Sequence, residues 1–375
     1  MAIALSKSKL ELPVLGSLLG RLKSSFAPRS NNLALGLDIG SHAVKVCELR
    51  RLEDGYQLES LGSAMIPLDS IEDGTLVNAA AVAAVIEKLL ANLRCRHKKV
   101  AISVSGYSVI VKKINLRLMS PDELAKHVHQ EAEQYIPFDI EDVYLDCQDL
   151  HTNVGDEDRS DVMLAAARKE LVDGYLNMLD GLGLQTVVVD VDAFALENAF
   201  ELGPDRHENV ALVDIGAAKM NINILSDGTS ALVRDVPLGG RQLTEQIQQT
   251  LDLSFEEAEE IKLGQIAPPP DTKARVAEIM LRASQQWSKE IQRALDFYQT
   301  GHEEHPVSRI VISGGGAKIA GLAEFLTRKC SLPCSVLDPF AQTKVDGNRI
   351  DPAYLRAMAP EMAQAVGLAT RTIDF

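Results

Sequence analysis

At the start of the folded region, segments with the apolar pattern of strands enclose one segment with the apolar pattern of a helix. An apolar run at 33–39 ends in an Asp-Ile-Gly-Ser turn, the pattern of a buried strand. Alternation at 43–49 predicts the returning strand of a hairpin. Strand patterns at 56–63 and 99–104 enclose an alanine-rich helical stretch at 78–93. This order predicts an α/β lobe that begins with a β-hairpin.

The pattern changes between 108 and 184, where strands and helices follow one another in a different order. A strand at 109–116 is followed by a helix from 120 to about 134, opened by a Ser-Pro-Asp-Glu capping signature. Two strands, at 143–149 and 161–168, flank a polar loop, and a helix then runs to about 181. The βαββα order predicts a small subdomain inserted into the first lobe.

The opening pattern returns in the second half of the chain. The run 210–217 again reads as an apolar strand that ends in Asp-Ile-Gly and a small residue. Strands follow at 220–225 and 231–236, then helices at about 240–250, 254–263 and 272–300, and a strand at 309–312 that enters a Ser-Gly-Gly-Gly turn before another helix. A hairpin repeated once per half predicts two related lobes that face each other.

These patterns divide the chain into six predicted segments. They are a basic flexible leader at 1–31, the first-lobe core at 32–107, the inserted subdomain at 108–184, the end of the first lobe and start of the second at 185–238, a helical subdomain at 239–308, and the second-lobe core with a closing helix at 309–375. The leader is basic in an acidic protein, so attraction to anionic lipid stays open beside the simpler interpretation as a flexible arm.

Charge and composition exclude several classes of protein. The chain has 38 basic and 53 acidic residues, a formal net charge of -15, and no dense run of Lys and Arg, which argues against nucleic-acid binding. No apolar segment approaches the ~20 residues needed to cross a bilayer. Five scattered cysteines, an odd number, do not suit a disulfide framework and indicate a reducing cytoplasm.

The two Asp-Ile-Gly turns are candidate phosphate sites. Glycines such as Gly40 let a phosphate approach the backbone N–H groups closely. Ser41 adds a hydroxyl donor, and Lys45 adds a positive charge. Asp38 and Asp214 end the two strands, and a pair of carboxylates that face each other can hold a hydrated Mg²⁺ ion. The pair in matching contexts therefore predicts a phosphate and magnesium site between the lobes.

A third element follows the strand at 309–312. Gly314, Gly315 and Gly316 stand between this strand and a helix, and bare backbone there leaves room for a flat ring or a ribose. An ordinary strand-to-helix turn would have the same pattern. The glycine turn lies in the same half of the chain as the second Asp-Ile-Gly turn, which favours a ligand site.

These three motifs, in this order, resemble the first phosphate, second phosphate and adenosine motifs of the actin, Hsp70 and sugar kinase superfamily. The resemblance implies a bilobed actin-like (ribonuclease H-like) fold with a duplicated core that binds ATP with Mg²⁺. Further site residues are implied only by the resemblance. They are Ile215, Gly216 and Ala217 at the phosphates, and Glu259, Lys262 and Lys318 at the ribose and adenine. The resemblance also places Lys45 and Asp214 at the phosphates.

A more specific resemblance is to the PilM family, the actin-like proteins of type IV pilus assembly at the bacterial inner membrane. It covers nearly the whole chain from about 33, and its motifs lie at 134–138, 189–196, 257–262 and 365–369. The family's inserted subdomain, shared with the division protein FtsA, matches the pattern change at 108–184. The resemblance implies an ATP-binding scaffold at the cytoplasmic face of the inner membrane.

The same resemblance implies a partner. PilM proteins bind the cytoplasmic N-terminal tail of PilN in a groove between the first lobe and the inserted subdomain, and through PilN they meet PilO and PilP. Membrane association would then be peripheral, through the partner, and a homo-oligomer stays open. Tyr135, Ile136 and Phe138 are the candidate contacts in the subdomain. A role in the subdomain's own core explains their apolar character equally well.

Hydrolysis of the nucleotide is a separate question. Asp192 stands where actin has a glutamine and bacterial actins often have a glutamate, so its carboxylate could position a water. Alternatively, Asp190 and Asp192 could cap the helix that starts near 193. Ala217 and Ala218 replace the Gly and Thr of Hsp70-like members and remove a hydroxyl donor. The sequence therefore predicts nucleotide binding with slow ATP hydrolysis at most.

Other functions fit the sequence less well. No segment resembles a sugar-kinase pocket, and the glycines at 36 and 40 lack the spacing of a dinucleotide-binding turn. The serious alternative is an FtsA-like filament-forming actin homologue of cell division. Such proteins end in a basic amphipathic tail, whereas this sequence stops directly after its last predicted helix, which favours the pilus family.

Overall fold

The computed structural model describes residues 33–150 and 158–372. The predicted leader at 1–31 and most of the polar loop that follows the strand at 143–149 lie outside the described residues.

The described elements follow the predicted order closely. The strands are β1 Leu35–Ile39, β2 Ala43–Leu52, β3 Gly55–Met65, β4 Ile71–Glu72, β5 Thr75–Leu76, β6 Lys99–Val104, β7 Val109–Arg117, β8 Val143–Asp149, β9 Arg159–Arg168, β10 Gln185–Val191, β11 Val210–Ile215, β12 Met220–Ser226, β13 Thr229–Val236, β14 Arg309–Ser313, β15 Cys334–Val336 and β16 Lys344–Val345. The α-helices are α1 Ala79–Asn92, α2 Pro121–Glu131, α3 Lys169–Gly181, α4 Asp192–Glu201, α5 Gly240–Leu251, α6 Phe255–Lys262, α7 Lys273–Gly301, α8 Leu322–Cys330, α9 Pro352–Met358 and α10 Ala363–Ala369.

Two sheets with the same internal order form the two lobes. The first has the order β10-β6-β1-β2-β3-β16, and the second β13-β12-β11-β14-β15. In each, an antiparallel β-meander continues into parallel strands on the other side of its first strand. The registers also correspond, since Asp38 pairs with Lys45 and Asp214 with Asn221, one residue before each strand ends. The predicted duplication of the core is confirmed, and the fold is bilobed.

Helices cover both faces of each sheet. Apolar side chains of α1 and α3 pack on one face of the first sheet, while the segment from Phe340 to α10 packs on the other. The second sheet buries α5, α6, α7 and α8 on one face and α4 on the other. Parallel strands covered on both faces read as continuous apolar runs, which is why the sequence pattern located β6, β11 and β14 well.

The inserted region forms a sheet of its own, with the order β7-β9-β8. One face carries α2 and the segment after it, and the other packs against the start of α4 and against β13. The helix α3, predicted as the last element of the insertion at 108–184, buries Leu171, Val172 and Leu179 in the core of the first lobe instead. The helix predicted at 120–134 ends at Glu131 and continues as a short 3₁₀ turn.

The segment predicted as the closing part of the second lobe returns to the first. Strand β16 pairs with β3 at the edge of the first sheet, and α10 packs against β1 and against α4. Arg371, just after α10, donates to the buried carboxylate of Asp190 at 2.7 Å. The chain end described here therefore ties α10 to the first lobe.

None of the described helices is both long enough and apolar enough to span a bilayer. The five cysteines, all within the described ranges, are free thiols. Burial raises the pKa of the Cys330 thiol to about 11, so this cysteine is protonated near neutral pH.

Glu197 on α4 gives a prediction about stability and pH. The Ser230 hydroxyl on β13 donates to its carboxylate, and burial raises the pKa of Glu197 to about 7 from an ordinary 4.5. Because the folded-state pKa is raised, its contribution is fully present below about pH 4.5 and is lost as pH rises through about 7. We expect Glu197→Gln to raise the free energy of unfolding at pH 8 by about 2 kcal/mol, since Glu197 keeps some exposure, and to change it little at pH 5.

Urea unfolding at both pH values measures this effect. Glu87→Gln, on the exposed face of α1, is the matched control and should behave alike at pH 5 and pH 8. An equal change at both pH values in Glu197→Gln would show that the carboxylate titrates normally in the folded protein.

Candidate functional site

A cavity of about 520 Å³ lies between the two lobes. Its walls come from the turns after β1 and β11, the glycine turn after β14, the end of β6, and helices α5 and α6. Pockets of about 300–1,000 Å³ hold small-molecule ligands of nucleotide size. The cavity also contains every nucleotide-site residue named from the sequence except Ile215, which packs directly beneath it against the glycine turn.

The turn between β1 and β2 carries a buried ion pair. The Gly40 N–H donates to the Ala43 carbonyl at 3.1 Å and closes the turn, and Ser41 lines the cavity beside it. Lys45, opposite Asp38 in the hairpin register, donates to the Asp38 carboxylate at 2.8 Å. Burial raises the pKa of Asp38, and the Lys45 charge opposes that rise. The turn therefore presents a carboxylate and an ammonium, paired with each other, to the cavity.

The turn between β11 and β12 repeats this geometry with one difference. The Gly216 N–H donates to the Lys219 carbonyl at 2.9 Å, and the Ser313 hydroxyl donates to the Asp214 carboxylate at 2.8 Å. Burial raises the pKa of Asp214 to about 6. Within residues 33–150 and 158–372, no cationic side chain lies at ion-pair distance from this carboxylate. Asp214 is thus a half-buried acid that lines the cavity and has no direct ion pair, with Lys45 as a more distant positive charge.

The glycine turn after β14 packs tightly on the second Asp-Ile-Gly turn. Gly314 has φ of 82°, and a Cβ there would lie 2.6 Å from the Ile215 carbonyl oxygen. A Cβ on Gly316 would overlap the Ile215 side chain, whereas one on Gly315 would meet nothing within 4 Å. The turn therefore keeps bare backbone next to the phosphate turns, in a conformation that favours glycine.

A second polar cluster lies at the α5 and α6 side of the cavity. Lys262 is buried and donates to the Glu259 carboxylate at 2.6 Å and to the Thr244 hydroxyl at 3.0 Å. Burial lowers the pKa of Lys262, against the effect of Glu259. Lys318 lies 3.3 Å from the Glu361 carboxylate, also at the cavity wall. The structure thus brings the three residues predicted for the nucleoside end onto the same cavity as the phosphate turns.

Asp192 lies at the opposite side of the cavity in a network that crosses the lobes. The Ser103 hydroxyl donates to one carboxylate oxygen at 2.6 Å, and the Ser105 hydroxyl donates to the other. The Lys219 ammonium, from the second lobe, lies 3.1 Å from that second oxygen. Burial works to raise the pKa of Asp192, but Lys219 and the two hydroxyls outweigh it and hold the pKa below its ordinary value.

The alternative that Asp190 and Asp192 cap a helix is wrong. Helix α4 starts at Asp192 itself, and its N-cap residue, Val191, makes no side-chain cap. Asp190 is buried and pairs with Arg371, while Asp192 points into the network described above. Both carboxylates therefore serve contacts between elements rather than the helix end.

Several residues of the site were missed from the sequence. Ser103, Ser105, Lys219 and Arg241 line the cavity, and Arg241 on α5 reaches across the cleft to the Ser41 carbonyl at 3.0 Å. The Gly-Gly pair before α5 was a usable signal, because a Cβ on Gly239 would overlap the Ala217 carbonyl. The serines and Lys219 gave no such signal, since their role depends on which strands become neighbours.

The three partner candidates occupy different environments in the inserted subdomain. Ile136 is buried in its core, whereas Tyr135 and Phe138 pack at the edge of that core and keep part of their surface exposed. Lys112 lies over the Tyr135 ring at 6.0 Å, and Arg168 over the Phe138 ring at 4.7 Å. Of the three candidates, Tyr135 and Phe138 therefore have exposed side-chain surface that a partner can contact.

The residues present fit a magnesium-bound nucleotide. Asp38 and Asp214 supply the oxygen ligands that Mg²⁺ prefers, and bare glycine backbone adjoins them. Among the described residues, no group of three or more His, Cys, Asp or Glu forms a metal cage. Mg²⁺ bound to a nucleotide usually keeps several waters and takes phosphate oxygens, so one or two carboxylates are enough.

Comparison with known proteins agrees with this fold. The family model described as type IV pilus assembly protein PilM matches residues 36–373. A solved structure described as the PilM-PilN type IV pilus biogenesis complex is 32% identical, with a TM-score of 0.80, over 93% of this chain and 100% of that one. The ethanolamine utilization protein EutJ of Carboxydothermus hydrogenoformans shares the fold, with 16% identity and a TM-score of 0.54 over 93% of each chain.

More distant similarity reaches the division proteins. Cell division protein FtsA of Pseudomonas aeruginosa is 21% identical over 355 residues, 84% of each chain. FtsA of Bacillus subtilis is 22% identical over 257 residues, 62% of this chain and 58% of that protein. Since the PilM family model covers nearly the whole sequence, this chain belongs to the PilM family of type IV pilus assembly proteins and has its bilobed actin-like fold.

Proposed function

We propose that this protein binds ATP with Mg²⁺ between its lobes and serves as a cytoplasmic scaffold of the type IV pilus inner-membrane complex. It holds the cytoplasmic N-terminal tail of PilN, and through PilN it associates with PilO, PilP and the inner face of the membrane. Membership of the PilM family supports the pilus role. The 32% identity to the chain solved in a PilM-PilN complex supports PilN as the partner.

The observation that carries the nucleotide proposal is the Asp214 carboxylate. It is a half-buried acid with a raised pKa, it lines the cavity, and no cation of the described residues forms an ion pair with it. A hydrated Mg²⁺ would supply positive charge at this carboxylate. Asp38 and Asp214 would hold the ion, and Ser41, Lys45 and the turn at Gly216 and Ala217 would hold phosphates. The Glu259 and Lys262 cluster, Lys318 and the glycine turn at 314–316 would hold the nucleoside.

The same geometry favours binding over turnover. A residue that takes a proton from water must be basic enough to do so, and the Ser103 and Ser105 hydroxyls together with Lys219 hold the pKa of Asp192 below its ordinary value. The second phosphate turn offers alanine methyl groups where a hydroxyl would assist the reaction. Hydrolysis at this site is therefore slow at most.

The PilN tail fits an exposed sheet edge. In the three-stranded sheet of the insertion, β7 and β8 are both edge strands, and each pairs only with β9 in the described residues. An extended peptide can add to such an edge through main-chain hydrogen bonds while apolar pockets select its side chains. Tyr135 and Phe138, beside this sheet, would supply apolar surface for the peptide.

The test is calorimetric titration of the purified protein with a synthetic peptide of the PilN cytoplasmic tail, with and without Mg-ATP. We expect saturable binding to the native peptide and none to a scrambled peptide of the same composition. Phe138→Ser should weaken binding about tenfold or more if its ring contacts the peptide, because an apolar anchor of this size contributes more than ~1.4 kcal/mol. The control is Phe297→Ser, an exposed phenylalanine on α7 of the other lobe.

Absence of binding to the native peptide in both nucleotide states would overturn the scaffold proposal. If Mg-ATP then produced filaments, seen as a rise in light scattering, the FtsA-like alternative would replace it. A peptide affinity that changes with nucleotide would show that the cleft and the partner groove are coupled.

A further inference from the structure

Lys219 is a cation in the cleft that the nucleotide motifs do not account for. It lies on the turn between β11 and β12, in the second lobe, and its ammonium lies 3.1 Å from the Asp192 carboxylate of the first lobe. About 30% of its side chain is exposed, and that exposed part lines the cavity. The ion pair therefore joins the two lobes across the cleft, and Lys219 stays accessible from the cavity.

The order of charges along the cavity shows what Lys219 would meet. Lys262 and Lys318 lie close enough to affect each other at the nucleoside end. In the second sheet, β11, which carries Asp214 near its end, lies between β14, which leads into the glycine turn, and β12, which begins directly after Lys219. Lys219 and Asp192 therefore lie beyond the Asp38 and Asp214 pair as seen from the nucleoside end. A polyphosphate that starts at that end reaches the magnesium carboxylates first and Lys219 with its outermost group.

We propose that Lys219 binds the terminal phosphate of a nucleoside triphosphate. Its ammonium would leave the Asp192 carboxylate and pair with that phosphate instead. This inference rests on the proposed nucleotide binding and deepens it. In the structure Lys219 contacts Asp192 and the Ser105 hydroxyl. A terminal phosphate carries more charge than one carboxylate and presents three oxygens, so it competes well for a mobile ammonium.

The exchange gives the site a preference for triphosphate over diphosphate. A diphosphate ends near the magnesium carboxylates and leaves the Lys219 pair with Asp192 in place. A triphosphate gains the ammonium but must first break an ion pair that joins the two lobes. Ser103 and Ser105 keep the Asp192 carboxylate hydrogen-bonded after Lys219 leaves, so the exchange leaves no bare buried charge.

Two substitutions of the pair are expected to act in opposite directions. Lys219→Met removes the cation and should weaken binding of the non-hydrolysable triphosphate AMP-PNP about 10- to 100-fold, as for loss of a charged hydrogen bond, while ADP affinity stays within about threefold. Asp192→Asn frees Lys219 from its competitor and should strengthen AMP-PNP binding several-fold. A merely structural ion pair would instead give weaker binding in both variants.

The double variant separates exchange from simple repulsion. If Asp192 acts by holding Lys219, then Asp192→Asn has no effect on AMP-PNP affinity once Lys219 is methionine. If Asp192 only repels the phosphate, the gain persists in the double variant and the exchange is wrong. Arg234→Met is the matched control, because Arg234 is a cation of the same sheet that pairs with Glu290 outside the cavity.

Calorimetric titration with AMP-PNP and with ADP, both in excess MgCl₂, is carried out on the wild type and on the four variants. An unchanged ratio of the two affinities in Lys219→Met would overturn the role of Lys219, provided that the wild type binds both nucleotides. If the wild type binds neither, the nucleotide proposal itself fails, and the inference fails with it. Thermal unfolding of each variant establishes that the comparison is made on folded protein.

Discussion

Asp214→Asn is expected to abolish the magnesium-dependent part of ATP affinity, a loss of about 10- to 100-fold in MgCl₂. The substitution preserves the shape of the side chain and an acceptor for the Ser313 hydroxyl, and it removes only the charge. In EDTA, Asp214→Asn should instead strengthen ATP binding, because a neutral side chain no longer repels the phosphates. Titration calorimetry with ATP in each buffer gives both numbers.

The stability of Asp214→Asn should increase, although its affinity for ATP in MgCl₂ falls. Burial raises the pKa of Asp214 to about 6, so the ionised acid lowers stability once the pH exceeds that value in the nucleotide-free protein. We therefore expect Asp214→Asn to unfold at a higher urea concentration than the wild type at pH 8. A site that gives up stability for a ligand is common in binding proteins.

The matched control for Asp214→Asn is Asp227→Asn. Asp227 lies in the exposed turn between β12 and β13 of the same sheet, where asparagine also tolerates the positive φ of 51°. Neither the magnesium dependence nor the midpoint at pH 8 should change in the control. If Asp214→Asn kept its response to MgCl₂, the metal would have to be held elsewhere in the cleft.

The predictions made from sequence were accurate where one residue pattern has one structural meaning. Buried parallel strands such as β6 and β14 are continuous apolar runs, and the Asp-Ile-Gly turns recur at matching registers. The Ser-Pro-Asp-Glu signature also marked the start of α2 correctly, and the backbone N–H and hydroxyl of Ser120 both donate to the Glu123 carboxylate. Local patterns therefore located most elements and the three loops of the cavity.

The predictions were weaker where a residue's role depends on distant neighbours. Helix α3 has the apolar face of any amphipathic helix, and its spacing alone cannot tell which sheet it covers. Lys219 and Ser105 are separated by more than a hundred residues and meet only because the lobes face each other. For Ile136 the sequence left a partner contact and a place in the subdomain core open, and the structure buries its side chain in that core. Such assignments require the tertiary fold.

The crossing of α10 with α4 shows how the lobes are joined. Helix α4 contacts both sheets, and α10 packs across it and onto β1. The close approach depends on two glycines, since a Cβ on Gly36 would overlap the Ala365 carbonyl and one on Gly367 would overlap the Ala195 carbonyl. Movement of the lobes about this crossing would require the two helices to slide while they stay packed.

Gly367→Ala is therefore expected to lower the free energy of unfolding by about 3 kcal/mol, although alanine is the better helix former. The added methyl group meets backbone, which cannot rotate away as a side chain could, so α10 must shift from α4. Gly174→Ala is the matched control, because a Cβ on this α3 glycine meets nothing within 4 Å. That variant should gain about 0.5–1 kcal/mol.

Urea unfolding of both variants decides the point, because the same substitution in two helices should act with opposite signs. A gain of stability in both variants would mean that α10 is free to move away from α4. A loss in both would mean that helix glycines of this protein are needed for reasons other than close packing. With the expected opposite signs, α10 and α4 are closely packed, and the lobe movement that we propose to follow nucleotide binding would be largest on the open side of the cleft, where Arg241 and Lys219 reach across it.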